Sequence, residues 1–525
     1  MAGGSVRQIA SAAGVVGAAT LLSRVLGFVR DMALAWLFGA GLVADAFFAA
    51  FRIPSTLREL LGEGALSAAF IPTFTRTAAR EGRVAAWHLV AAVQSTLVVV
   101  LALVTAAGVL FAPQIAQVLA SGFGQYPGKL ELTITLLRIM FPYVFAVGLA
   151  ALFMAILNSL GHFLTPALSP TVLNLVMITA ALWLAPGAER PVIPIAIAVV
   201  VGGLGQLAIQ IPAAWARGWR PIFRVAPRDP AVRQIGRLML PGVAGLAVTQ
   251  VNVFVGMLLA SFQVQGSVAA LGYAFRLVQF PIGVVGVSVA TGALPVMAAA
   301  MARDAVDEMK RVLQDSLRLA VFFALPSMLG LMLFRIPILA VLFERGAFTR
   351  AATLLTASIL LAYAVGLVFY VANRILAPAF FAMHDTWTPV STGMVSVAVN
   401  IGASVLLMGP LGTPGLALAT AVASASNCLQ LGLRLRRRIG RLGTRRVLEA
   451  GARVALACLP MAAWGLFAEY WFGLPTGGMV QKVLVLGGEL GVAIGAFIIA
   501  AKFIGCEELA WTLDLLRRRA KRSQH

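Results

Sequence analysis

Long apolar segments, each about the length of a membrane-spanning helix, recur from one end of the chain to the other. A helix needs about 20 mostly apolar residues to cross the hydrocarbon core of a bilayer. The pattern therefore predicts an all-α polytopic membrane protein with fourteen transmembrane helices. The predicted spans are residues 8–38, 42–75, 84–112, 132–158, 163–185, 191–216, 232–262, 267–299, 309–334, 351–377, 387–409, 414–434, 447–471 and 482–505.

The composition excludes most soluble alternatives. Of the 525 residues, 60% are hydrophobic and 12% are charged, whereas a soluble domain is about a quarter charged. So few charges cannot cover so much apolar surface in water, which excludes an ordinary cytosolic enzyme, a disordered protein and a fibrous protein. The net charge of +21 is explained better by basic cytoplasmic loops than by nucleic acid, so we expect no nucleic-acid partner.

The basic residues cluster in alternate loops of the predicted topology. These clusters lie within residues 76–83, 217–237, 303–311, 434–446 and 517–522, while the loops between them carry almost no charge. Lys and Arg are retained on the cytoplasmic side of a membrane. We therefore expect a multi-pass protein of the cytoplasmic membrane with both termini in the cytoplasm.

Short sequence motifs repeat at an offset of 223 or 224 residues. Ala-Phe-Arg occurs at 50–52 and 274–276, and Thr-Pro occurs at 165–166 and 388–389. The repeat unit contains six spans, so the halves should be parallel and should flank a central cavity. The predicted divisions are an N-lobe at 1–228 with spans 1–6, a C-lobe at 229–446 with spans 7–12, and spans 13–14 with a basic tail at 447–525.

Ionisable residues lie inside predicted spans, where a charge costs about 2.5–3.5 kcal/mol on insertion scales. Arg52 lies mid-span, and Arg276 occupies the equivalent position in the second repeat. A guanidinium fork matches phosphate or carboxylate, so the two arginines suggest an anion site in the cavity. Pairing of single arginines with nearby carboxylates, or their extension to the membrane surface, remains an alternative.

Signatures of catalysis and of metal binding are missing from the sequence. There is no Walker A motif, the four histidines are scattered, and Cys428, Cys458 and Cys506 are far apart. We therefore expect a transporter rather than an enzyme, with no catalytic residue, no metal and no cofactor.

The N-terminal part resembles the MurJ (MviN) family. The resemblance rests on SRVLGFVRD at 23–31, FGAG at 38–41, DAF at 45–47, FRIP at 51–54, LR at 57–58, EGA at 63–65 and AFIP at 69–72. These proteins are lipid II flippases of bacterial peptidoglycan synthesis, within the multidrug/oligosaccharidyl-lipid/polysaccharide exporter superfamily. The resemblance extends over essentially the whole chain, including the last two spans.

The resemblance implies a protein that flips lipid II from the cytoplasmic to the periplasmic leaflet of the inner membrane by alternating access. It implies two six-helix lobes around a central cavity, with spans 13 and 14 lining a groove for the undecaprenyl tail. Lipid II and membrane lipids would be the partners of a monomer. The diphosphate would be bound by Arg24, Arg30, Arg52, Arg58 and Arg276, and the supporting polar network would be Ser23, Asp45, Ser55, Glu63 and Arg374.

The sequence departs from the family pattern at a few positions. Ser55 replaces a common Asn, Glu59 replaces a basic residue, and no carboxylate lies near Asn400 and Thr420, where some members bind sodium. Two alternatives stay open: an exporter of a drug or of another polyprenyl-linked oligosaccharide, and a membrane enzyme acting on polyprenyl diphosphates. The enzyme would need a carboxylate cluster such as Asp304, Asp307 and Glu308.

Overall fold

The computed structural model describes residues 2–60, 66–224, 229–471 and 478–522, and every regular element within these ranges is helical. The contacts between helices divide the chain into two compact units. The first unit contains residues 1–269 and 346–348, and the second contains residues 270–345 and 349–525. The predicted lobe and appendage boundaries at 228 and 446 stay a prediction.

The first unit is built from ten α-helices in the ranges that the structure describes. They are α1 (Ala2–Phe38), α2 (Leu42–Leu60), α3 (Leu66–Leu110), α4 (Ala112–Leu119), α5 (Lys129–Met140), α6 (Tyr143–Ser159), α7 (Leu164–Thr179), α8 (Val192–Ala208), α9 (Ile211–Trp215) and α10 (Pro230–Ser261). A 3₁₀ turn at Ser121–Gln125 follows α4, and a π-helical turn at Ala180–Leu184 extends α7.

Helix α11 (Ser267–Pro281) carries the chain from the first unit into the second. A π-helical segment at Ile282–Val287 joins it to the next helix. The helices that follow are α12 (Ser288–Met301), α13 (Val306–Leu333), α14 (Arg335–Leu342), α15 (Arg350–Val365), α16 (Leu367–Ala382), α17 (Trp387–Leu411), α18 (Thr413–Ile439), α19 (Thr444–Ala457), α20 (Leu459–Trp471), α21 (Met479–Ile504) and α22 (Glu507–Arg522).

The core of the first unit lies among α3, α5, α6 and α8, and it depends on small residues at the points of closest approach. A Cβ atom at Gly203 of α8 would lie 2.6 Å from the ring of Tyr143, and one at Gly108 of α3 would overlap the ring of Phe141. Helices in a membrane gain little from the hydrophobic effect between them, so close van der Waals packing stabilises their contact. These glycines permit that packing.

In the second unit, the helices after residue 446 pack on α13. Phe322 of α13 lies 5.4 Å, centroid to centroid, from Phe497 of α21, and Val454 and Met461 complete the same buried cluster. Residues 447–471 and 478–522 are therefore integrated into the second unit by a shared apolar core.

The structure confirms an all-helical fold with many membrane-length helices. Among the described residues, ten helices are long and apolar enough to cross a membrane, and the bent pair α15–α16 would be an eleventh. The predicted spans 8–38, 42–75 and 232–262 are not among them, so the total of fourteen stays a prediction. Charged side chains such as Arg24, Arg30 and Asp31 reduce the hydropathy of the first of these segments.

The predicted boundary between spans 2 and 3 differs from the structure. Helix α2 ends at Leu60, and α3 then runs from Leu66 to Leu110 with a bend at Gly82, whose φ is +90°. Arg80 and Arg83 therefore flank a bend within one helical element rather than a loop between two spans. Glycine adopts this positive φ without the steric penalty that other residues incur.

The same turn occurs twice, 223 residues apart. The amide of His162 donates to the carbonyl of Leu157 (2.8 Å), and the amide of Asp385 donates to the carbonyl of Phe380 (2.9 Å). In each turn the preceding residue has a positive φ, and a Thr-Pro pair lies in the first turn of the next helix. The two turns therefore share one backbone geometry, and the architecture of two six-helix repeats stays a prediction.

Candidate functional site

Arg30 lies in the first unit, where side chains of Asp31 and Asn174 accept hydrogen bonds from its guanidinium. Its Nε and Nη2 atoms donate to Oδ1 of Asp31 (3.1 and 2.7 Å), and its Nη1 donates to Oδ1 of Asn174 (3.1 Å). The Arg30 side chain is 14% exposed and that of Asp31 is 4% exposed. Three of the five N–H groups of Arg30 therefore have fixed acceptors, and two remain for another ligand.

Asn174 on α7 contacts α1 at two points, the Arg30 side chain and the backbone at Ser23. Its Nδ2 atom donates to the carbonyl of Ser23 (3.0 Å), and its carboxamide lies beside Gly27. Sequence analysis missed this residue. The available signal was an amide side chain in the middle of a predicted span, because buried polar groups in a membrane need partners.

Arg24 differs from Arg30 in its surroundings. It lies on α1, its side chain is exposed, and no residue that the structure describes forms an ion pair or hydrogen bond with it. Its charge is therefore available to a ligand.

Helix α2 positions Arg52, Ser55 and Arg58 around Pro54. Pro54 has no amide hydrogen to donate within the helix, and Oγ of Ser55 donates to the carbonyl of Arg52 (2.8 Å). Arg52 is half-buried. Nη2 of Arg58 lies 3.9 Å from Oε1 of Glu59, and both side chains are about one third exposed, so this ion pair is weak.

Two consecutive hydrogen bonds connect Glu59 with Gln250 and Gln250 with Thr56. Oε2 of Glu59 accepts a hydrogen bond from Nε2 of Gln250 on α10 (3.0 Å), and Oε1 of Gln250 accepts one from the hydroxyl of Thr56 (3.3 Å). These contacts attach α2 to α10 within the first unit. Glu63, the remaining acidic residue of the predicted network, lies outside the described residues.

Asp45 is part of a buried ion pair. Its Oδ2 atom accepts from Nζ of Lys129 (2.8 Å) and from the amide of Gly266 (2.7 Å), and its Oδ1 atom accepts from the amide of Ala269 (2.8 Å). The side chains of Asp45 and Lys129 are each 1% exposed, and Nζ of Lys129 lies 3.9 Å from the ring centroid of Phe123. Asp45 therefore holds the first turn of α11, and Lys129, which sequence analysis missed, neutralises it.

Arg276 and Arg374 belong to the second unit, and both are exposed. Nη1 of Arg276 lies 3.5 Å from Oε1 of Gln279. Arg374 lies on α16, where its aliphatic stem packs beside Gly286, and no described residue forms an ion pair with it. Of the two residues compared above with the sodium site of some family members, Asn400 is buried, and Thr420 donates to the carbonyl of Leu416 (3.1 Å).

Comparisons with known proteins agree with this architecture. The model of the family described as "Lipid II flippase MurJ" matches residues 34–480. The chain is 36% identical over 504 residues to a probable lipid II flippase MurJ of Vibrio cholerae, covering 94% of this chain and 95% of that one. It is 35% identical over 519 residues to the corresponding protein of Rhizobium tropici, covering 97% and 96% of the two chains.

Solved structures of MurJ and of related transporters share the fold of this chain. A lipid II flippase MurJ in an inward closed conformation superimposes with a TM-score of 0.77 at 26% identity, covering 93% of this chain and 98% of that one. Two multidrug resistance MATE transporters of the MOP superfamily share the fold. The inward-facing one has a TM-score of 0.69 at 16% identity, and the outward-facing one has 0.54 at 17%; they cover 82% of this chain and 98% and 96% of their own.

The relatives are transporters rather than enzymes, and the family match covers most of the chain. The chain therefore belongs to the lipid II flippase MurJ family.

Proposed function

We propose that this protein moves lipid II from the cytoplasmic to the periplasmic leaflet of the bacterial inner membrane by alternating access, and that its arginines bind the diphosphate. The names of its relatives support the substrate, and the likeness to MATE folds of both orientations supports alternating access. The observation that carries the proposal is an exposed arginine of α1, Arg24, that has no partner among the described residues.

A diphosphate is a suitable ligand for such a cation. Hydrogen bonds between guanidinium and phosphate are charge-assisted, and a fork of two parallel bonds adds geometric selectivity. Each contact to a charged group contributes about 1.5–3 kcal/mol. Arg24, Arg52, Arg58 and Arg276 are the proposed contacts, and Arg30 would contribute the two N–H groups that Asp31 and Asn174 leave free.

The supporting residues have a different role in this proposal. Asp45 bonds to Lys129 and to the backbone at the start of α11, so it would maintain the helix arrangement rather than touch an anionic substrate. Ser23 and Ser55 act through backbone contacts of α1 and α2. Arg374 and Glu63 complete the proposed network.

The long apolar tail of the substrate would follow α19, α20 and α21, whose outward faces carry large exposed apolar side chains such as Leu456, Phe467 and Ile494. We propose that the protein acts as a monomer with both termini in the cytoplasm, the orientation that the positive-inside rule assigns to its basic loops.

The test is complementation of a bacterium depleted of its own lipid II flippase, together with flipping of labelled lipid II in proteoliposomes of the purified protein. We expect growth and protein-dependent flipping. Chemically unaltered lipid II in the opposite leaflet excludes the enzyme alternative. Transport of an O-antigen lipid in preference to lipid II would favour the other exporter and contradict the proposal.

A further inference from the structure

A small cavity in the second unit contains an isolated carboxylate. The cavity has a volume of about 190 Å³ and lies where the break between α13 and α14 faces α20 and α21. Most of its wall is apolar and includes Leu333, Phe334 and Ala468, but Glu469 and Glu489 also line it. No part of the proposed diphosphate site uses this cavity.

Glu489 is buried and has no partner for its charge. The residue is 7% exposed, and its carboxylate forms no hydrogen bond or ion pair with any residue in the described part of the chain. The indole of Trp464 donates to the backbone carbonyl of Glu489 (3.0 Å), not to its side chain. A buried carboxylate of this kind must be paired, hydrated or neutralised, because an isolated charge in an apolar environment is very unfavourable.

Glu489, whose charge needs a partner, lies in the interior of the predicted span 482–505. Glu489 is ten residues beyond Met479, the first residue of α21, which is about 15 Å at the helical rise of 1.5 Å per residue. Glu469 is exposed and lies two residues before the end of α20 at Trp471. The two carboxylates therefore connect an exposed helix end with the interior of the span, the arrangement typical of proton relays in transporters.

Other charged groups on the surrounding helices do not line the cavity. Arg335, the first residue of α14, donates to the carbonyl of Met332. Lys482 lies two turns before Glu489 on α21. The charged residues of α13 and α19 lie in the parts of those helices remote from the cavity wall: Asp307, Glu308, Lys310, Arg311, Asp315 and Arg318 on α13, and Arg445, Arg446, Glu449 and Arg453 on α19.

The donor set suits a proton better than a metal ion. Hard cations such as Mg²⁺ and Ca²⁺ take six or more oxygen ligands. The side chains of this wall offer only two carboxylates, and within the described ranges no three His, Cys, Asp or Glu side chains come together. A proton needs one carboxylate oxygen, and a cavity of this volume holds several waters, each of about 30 Å³, to deliver it.

We propose that the cavity is a proton-binding site, in which Glu489 takes up and releases a proton and Glu469 exchanges it with water at the exposed end of α20. In the uptake step an O–H bond of hydronium breaks, an O–H bond forms on the Glu489 carboxylate, and one water remains. The site is separate from the anion site, and its occupancy does not depend on which lipid the protein transports.

The test is infrared difference spectroscopy of the purified full-length protein in lipid, comparing high with low pH. The expected result is a carbonyl band of a protonated carboxylic acid that is lost in Glu489→Gln and retained in Glu449→Gln, a control at an exposed carboxylate paired with Arg445. In Glu469→Gln the band should remain, but its shift on transfer to D₂O should be slower.

A band that persists unchanged in Glu489→Gln would overturn the proposal, and so would its loss on adding Na⁺ at constant pH, which would indicate a metal-ion site. Thermal unfolding establishes that each variant is folded. If Glu489→Gln does not fold, Glu489→Asp serves instead, because an aspartic acid should keep the band at a shifted frequency. The measurement requires no flipping, so failure of the proposed function would leave its result intact.

Discussion

Arg438 donates a hydrogen bond to the carboxylate of Asp385 across 53 residues of the chain. The same carboxylate accepts from the amide of Thr388 (2.9 Å) and from its hydroxyl (2.7 Å), so it joins the turn before α17 to the end of α18. We call these contacts of Asp385 with Arg438 and Thr388 the acidic clamp. The first unit has a corresponding basic clamp, in which Nη2 of Arg217 forms a hydrogen bond with Nδ1 of His162 (2.9 Å). An acid and a base thus occupy equivalent positions of the repeated turn.

The first prediction concerns the acidic clamp. Asp385→Ala should lower the free energy of unfolding by about 0.5–2 kcal/mol, the usual effect of losing a side chain that caps the first turn of a helix. The measurement is thermal unfolding of the purified protein at neutral pH. Asp307→Asn is the control, because its side chain is 89% exposed and its pair with Lys310 should contribute little.

The Asp385 clamp should also respond to acid. The hydrogen bonds from Thr388, with a smaller effect of Arg438, hold the pKa of the Asp385 carboxyl below its usual value. The unfolded chain then binds the proton more readily, so this stabilisation is complete above the unfolded pKa of about 3.9 and is lost as the pH falls through the folded pKa. If the free energy of unfolding falls equally with decreasing pH in the wild type and in Asp385→Ala, the predicted contribution of Asp385 is wrong.

The second prediction concerns the basic clamp, which should respond nearer to neutral pH. Arg217 can only donate, so Nδ1 of His162 accepts and Nε2 carries the proton towards Thr165 (2.6 Å). Burial, and then the charge of Arg217, lower the pKa of His162. Because the folded pKa is depressed, the stabilisation is present above the unfolded pKa of about 6.5 and is lost as the pH falls below it.

The measurement for this clamp is the melting temperature between pH 7.5 and 5.5. We expect it to fall less in His162→Asn than in the wild type, and the difference should isolate the clamp. His88→Asn is the matched control, since His88 is exposed on α3 and its replacement should leave the pH dependence unchanged. Equal slopes for the wild type and His162→Asn would refute the prediction.

The third prediction concerns the buried pair of Lys129 and Asp45. Lys129→Met should lower the free energy of unfolding by about 3–5 kcal/mol, because it leaves a buried carboxylate without its counter-charge. The double variant Lys129→Met with Asp45→Asn should recover part of this loss. Membrane abundance and thermal unfolding measure both effects, and Lys310→Met should have a far smaller effect, because the carboxylate that it leaves behind, Asp307, is 89% exposed. A double variant less stable than Lys129→Met would argue against a charge effect.

The fourth prediction separates a ligand-binding arginine from a structurally paired one. Arg24→Ala should accumulate normally in the membrane, since no described side chain depends on it, yet capture of the diphosphate should weaken about 10- to 150-fold for a lost contact of 1.5–3 kcal/mol. Arg24→Lys should rescue only in part, because Lys lacks the guanidinium fork. The measurements are membrane abundance and binding of labelled lipid II. Unaltered binding in Arg24→Ala would remove this residue from the site.

Arg30→Ala should behave differently and should accumulate poorly, because it removes the adjacent positive charge that forms an ion pair with the buried carboxylate of Asp31. Asn174→Ala provides an intermediate case: Asp31 keeps Arg30 as its partner, but Arg30 loses its link to α7. Its abundance should exceed that of Arg30→Ala while its lipid II binding falls. Equal abundance of Arg24→Ala and Arg30→Ala would contradict the distinction between them.

The sequence by itself determined the class of protein, the family and the type of chemistry. Apolar runs of spanning length follow directly from the solvent that the bilayer provides. The motifs between residues 23 and 72 resemble the family whose model matches residues 34–480. The sequence showed short motifs at an offset of 223 residues, and the turns at His162 and Asp385 lie at that same offset. Each of these properties is encoded locally or at a fixed period, so a single chain reveals it.

Only the tertiary structure decided which charges are paired. The adjacent Asp31 already distinguishes Arg30 from Arg24 in the sequence, but the second partner of Arg30, Asn174, is 144 residues away and only the packing of α7 on α1 brings it into contact. Lys129 finds Asp45 across 84 residues, and Glu489 finds no counter-charge. The energy of a buried charge depends on the groups within a few ångströms, and only the packing of distant helices determines which groups those are.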